Sequence, residues 1–84
     1  MTKQTLALHI LVALYRSASR GNLLDESSLS HRIGQSGTVV SDLLVELDRA
    51  GYVDRSQLRL TLPGLAVAVA AAKKPEMRAF ARAA

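Results

Sequence analysis

Eighty-four residues with a net charge of +4 and no cysteine describe one small domain without a disulfide framework or a thiolate metal site. Hydrophobic residues make up 49% of the chain, yet its aromatics are only Tyr15, Tyr52 and Phe80, so the apolar mass is Leu, Val and Ala and suits helices. Two histidines, no Gly-rich phosphate loop and no carboxylate pair in a plausible cleft leave no nucleophile, base or ligand set to assign. Catalysis, a metal and a cofactor are therefore not expected.

Polar and charged residues interrupt every apolar run before it could span a bilayer, and the start Met1-Thr2-Lys3-Gln4 shows no signal-peptide pattern. The expectation is a soluble cytoplasmic domain with no membrane contact. Charge is unevenly spread: residues 1–35 carry +2, residues 36–51 carry −2 and residues 52–84 carry +4. Basic flanks of this size suit a polyanion, and they also occur on solvated helical faces.

In chain order, the spacing predicts a first helix over residues 2–17, with Thr2 as its N-cap. Leu6, Ile10, Ala13 and Leu14 form one apolar stripe, and Leu8, Leu11, Val12 and Tyr15 form another. A helix apolar on two sides is covered on two sides, and in so small a domain the second cover is expected to be another subunit. His9, among these residues, reads as a core or interface histidine. Residues 17–22 form a loop, and Leu23 and Leu24 a brief strand.

Asp25 is the best N-cap for a second helix over residues 26–33, with His31 and Arg32 near its end, facing either a phosphate or solvent. Gly34 closes that helix, and Ser36 caps a third one, reaching Ala50, in which Val40, Leu44 and Leu47 recur at helical spacing. Gly51 then takes the left-handed position that ends it.

Leu58, Leu60 and Leu62 alternate with Arg59 and Thr61, a half-buried strand pattern that pairs with Tyr52 and Val53 across a turn at 55–57. Thr61 caps a last helix with Pro63 in its first turn, and the alanine run carries it to Lys73 and Lys74. Pro75 restarts the chain as a short helical extension over residues 75–84, which carries Met77 and Phe80 on one face. The fold class expected is mainly α with a small β-hairpin, in the order α-β-α-α-β-β-α, over residues 1–74.

Two amphipathic helices joined by a short glycine-containing turn, at residues 28–51, make a helix-turn-helix. With Tyr52 and Val53 added, this block resembles the helix-turn-helix of bacterial regulators of the MarR and related types. Leu60-Thr61-Leu62-Pro63-Gly64 is similar to the segment that leaves the wing of such winged helix-turn-helix proteins. The resemblance implies a homodimeric transcriptional regulator that binds double-stranded DNA, its third helix in the major groove and its hairpin along the backbone or minor groove.

Carried onto this chain, the groove-facing positions are Ser36, Gly37, Thr38, Ser41 and Asp42, with Arg32 at the backbone and Arg55 and Arg59 in the wing. Arg16 and Arg20 would add backbone contacts. The dimer would use Leu8, Leu11, Val12 and Tyr15 of the first helix with Val69, Met77 and Phe80. In place of the long polar side chains usual on such a groove face stand Gly37, Asp42 and Val45, and the hairpin is short. Val39, Leu43 and Val45 also crowd the sides of the third helix. If two of them are exposed together, they favour the alternative of a protein–protein interaction module.

Overall fold

The computed structural model describes residues 2–21 and 24–73. Among these residues are four helices, α1 (Lys3–Ser19), α2 (Glu26–Ile33), α3 (Gly37–Ala50) and α4 (Leu62–Ala72), and a hairpin of β1 (Val53–Asp54) and β2 (Arg59–Leu60) between α3 and α4 in the chain. Each helix begins where a side chain can accept from the free N–H groups of its first turn. Thr2 accepts from Thr5 N, Asp25 from Ser28 N, Ser36 from Val39 N and Thr61 from Gly64 N. Gly34 and Gly51 end α2 and α3 at φ 77° and 86°, a conformation that a side chain would strain.

Residues 34–36 are the whole connection between α2 and α3. Leu29 of α2 and Val40, Leu43, Leu44 and Leu47 of α3 meet Ile10, Leu11 and Leu14 of α1 in the main core. Val53 of β1 closes it from the hairpin side at 2% exposure. Full burial of a side chain such as Leu44 contributes roughly 2 kcal/mol, so a handful of these positions carries the domain.

The hairpin is shorter than its sequence pattern. Val53 pairs with Leu60 and Asp54 with Arg59, antiparallel, and nothing further pairs among the described residues. The alternating pattern at 58–62 is cut at both ends. The turn takes four residues, with Leu58 at φ 52°, and Leu62 already belongs to α4 because Thr61 caps that helix. The brief strand expected at Leu23 and Leu24 is not seen where it can be judged. Leu24 has no regular structure and Leu23 lies outside the described residues. At the other end of the loop, α1 continues to Ser19, whose hydroxyl donates to the Tyr15 carbonyl.

The second stripe of α1 finds its cover inside the chain. α4 runs back along α1, its start beside Leu14 and Ala18 and its end against Leu8 and Val12. Ala68, Ala71 and Ala72 are buried in that contact, and their methyl groups allow the two helix axes to approach closely. Leu11 and Val12 are thus buried within one protomer and offer no surface to another, against the sequence expectation. Leu8, Tyr15 and Val69 are half-buried, while Met77, Phe80 and the extension over 75–84 lie outside the described residues. His9 is buried on α1, and burial pushes its imidazole below the ordinary histidine value.

The junction of α3, hairpin and α4 is built from backbone. Tyr52 N–H donates to the Leu47 carbonyl, closing α3, and the Tyr52 carbonyl accepts from Thr61 N–H at 3.1 Å. The Thr61 hydroxyl donates to the Gly51 carbonyl while accepting from Gly64 N–H. Gly64 sits so close that a Cβ there would overlap the Tyr52 carbonyl oxygen and stand 2.8 Å from its carbon. Gly64→Ala should therefore cost about 3 kcal/mol or more, the upper end for overpacking, because backbone on both sides cannot swing away. Thr61→Val, which removes only the hydroxyl's bonds, should cost about 1 kcal/mol. Urea unfolding checks both, and an unchanged midpoint for Gly64→Ala would contradict the junction as described.

Candidate nucleic-acid interface

The face of α3 turned away from Val40, Leu43, Leu44 and Leu47 is its outward face. At its N-terminal half, Ser36, Gly37, Thr38 and Asp42 are exposed and Ser41 is half-buried. These are short side chains, so the backbone at the start of α3 is open to approach. The first N–H groups of a helix point outward along its axis and favour an anion or a base-edge acceptor. Further along, Val45 is half-buried and Asp48 and Arg49 are exposed.

Arg55, at the hairpin turn, is brought to this face. Its Nη2 lies 3.2 Å from Ser41 Oγ and 3.8 Å from Glu26 Oε2, and its backbone N–H donates to Asp48 Oδ2 at 3.1 Å. One residue of the hairpin thus touches the start of α2 and two positions on α3. The turn itself is stiffened by Asp54, whose carboxylate accepts from Ser56 N–H and its hydroxyl. Arg59 is exposed on β2 and donates to Gln57 Oε1.

Arg32 does not join this group. Its Nη1 points to Ser17 Oγ at 3.4 Å, tying α2 to the end of α1. Arg20 is exposed beyond that end, and Arg16 is half-buried. Sequence reasoning missed Glu26 and Asp48 as partners of Arg55. They lie 29 and 7 residues from it in the chain, and in both cases the chain leaves its helix before it reaches Arg55, so no helical or strand period links them.

Beside the outward face, and sharing Asp42 and Val45 with it, lies a groove between α3 and the first turns of α1. Leu6, Val39, Leu43 and Val45 line it, and the Lys3–Glu46 ion pair, at 2.6 Å, bridges it. Both charges are well exposed, so the pair contributes at most about 1 kcal/mol. Val39 is 36% exposed, whereas Leu43 is buried. Among the described residues no three His, Asp or Glu side chains gather as a metal site, and no helix is long and apolar enough to cross a membrane.

Asp25 fixes where α2 starts, and with it the position of Glu26. The backbone N–H of Ser28, and then its hydroxyl, hold the Asp25 carboxyl below its ordinary value. A carboxyl lowered in this way stabilises the fold above its unfolded value and loses that contribution as pH falls through the folded value. An NMR titration should therefore place the Asp25 midpoint below that of an ordinary aspartate, with Ser28 amide protection lost over the same range. A midpoint at or above the ordinary value would contradict the cap. Comparison of the chain with protein-family models, with curated proteins and with solved structures found no match.

Proposed function

We propose that this protein is a winged helix-turn-helix DNA-binding regulator of the cytoplasm, with α2 and α3 as the helix pair and the β1–β2 hairpin as a short wing. The observation that carries the reading is the open start of α3. Ser36, Gly37 and Thr38 are exposed there, next to a hairpin arginine that already contacts Ser41. Short polar side chains let a helix start come close to the duplex, where Thr38 and Ser41 can reach base edges and backbone N–H groups can reach phosphates. Asp42 suits a cytosine amino group, the one exposed base-edge donor that stands without an adjacent acceptor on its own base.

Most of the affinity in this reading is electrostatic and comes from Arg55, Arg59, the exposed Arg20 and the N-terminus of α3, against the local field of Asp42, Glu46 and Asp48. A homodimer belongs to the proposal because two copies double the phosphate contacts of a small wing. With Leu11 and Val12 buried in the protomer, the apolar surface offered to it among the described residues includes Leu62, 83% exposed, and Leu65, with the half-buried Leu8, Tyr15 and Val69.

A second reading keeps the fold and changes the partner. The groove of Leu6, Val39 and Val45, rimmed by Asp42 and Glu46, favours a polypeptide with apolar and basic side chains. Salt separates the two. If DNA is the partner, log affinity should fall linearly with log salt, by about 0.9 per phosphate neutralised. Arg59→Ala should weaken all sequences alike and reduce that slope by about one phosphate, whereas Thr38→Ala should change the preference among sequences. No retention on mixed duplex DNA at low salt would transfer the function to the second reading.

A further inference from the structure

Arg55 is the side chain through which the hairpin touches both helices, and its guanidinium already faces an anion. Nη2 lies 3.8 Å from the Glu26 carboxylate and 3.2 Å from the Ser41 hydroxyl, with the two charged side chains 40% and 43% exposed. A carboxylate and a phosphodiester present the same chemistry to a guanidinium: two oxygens sharing negative charge, spaced for its N–H groups. An exposed pair at this distance is weak, and Glu26 sits on the first turn of α2 with solvent beside it, so it can turn away without disturbing the core. Ser41 Oγ remains beside the guanidinium when it does.

The geometry points to a phosphodiester subsite formed by Arg55 Nη2 and Ser41 Oγ, which Glu26 fills in the DNA-free protein as an internal competitor. The inference rests on the DNA-binding reading and adds to it a residue that sets affinity by opposing the ligand. Glu26 lowers binding to every duplex alike, because a phosphate carries no base identity. It also keeps Arg55 over α3, ready for the strand, in place of a long side chain free in solvent.

A double-mutant cycle on the full chain tests this, with a fluorescent mixed-sequence duplex as the probe. Glu26→Gln should tighten binding about two- to fivefold, as expected for release of an exposed ion pair. It should also steepen the salt dependence by up to about 0.9 in the log–log slope. In an Arg55→Gln background, Glu26→Gln should leave the affinity unchanged. Equal tightening in both backgrounds would overturn the inference, since Glu26 would then act only as a distant charge, and so would no tightening in either. If none of the four proteins binds the duplex at low salt, the DNA reading itself is overturned and this subsite with it.

Discussion

The fold depends on how closely α4 can start beneath the end of α3. Gly64 lies against the Tyr52 carbonyl with no room for a Cβ, and the Thr61 hydroxyl bonds in two directions, to Gly51 and to Gly64. That contact makes the two-residue strands of the hairpin sufficient, because the backbone at both of their open ends is already held. It also aims α4 back along α1, where small side chains let it lie close. The resemblance seen in Leu60-Thr61-Leu62-Pro63-Gly64 thus has a physical content: a cap, a permitted proline and a position that excludes every side chain.

From this junction the rest of the arrangement follows. α4 covers the second apolar stripe of α1, and α2 and α3 cover the first, so α1 is the central element of the core. Leu11 and Val12 are covered without a second subunit, while Leu8 and Tyr15 stay half-buried. Among the described residues, the most exposed large apolar side chains are Leu62 (83%) and Leu65 at the start of α4 and Val39 in its groove.

Local signals made most of the architecture legible in the sequence. Thr2, Asp25, Ser36 and Thr61 cap the four helices, and Gly34 and Gly51 end two of them, because capping chemistry involves residues within one turn of each other. What depended on distant partners was harder to read. The destination of Leu11 and Val12 turned on whether an alanine-rich helix would return along α1, which periodicity cannot state. The strand pattern at 58–62 failed at Leu58 and Leu62 because turn length and helix capping overrode alternation. Of the candidate site, Ser36, Gly37, Thr38 and Asp42 lie exposed and Ser41 half-buried, whereas Arg32 turns to Ser17 and Arg55 gains an unforeseen acidic partner.

Electrostatics then decides how the exposed face can be used. Acidic Asp42, Glu46 and Asp48 lie along α3, and Arg55 is the cation the hairpin sets directly against it. A duplex would meet the neutral start of the helix and the arginines of the hairpin, while a polypeptide would meet the apolar groove beside it. Amide chemical-shift mapping of the labelled protein during addition of a short duplex distinguishes these surfaces most directly. The account predicts changes concentrated at residues 36–38, 41 and 55–59. Changes confined to Leu6, Val39 and Val45, or none at all, would contradict it.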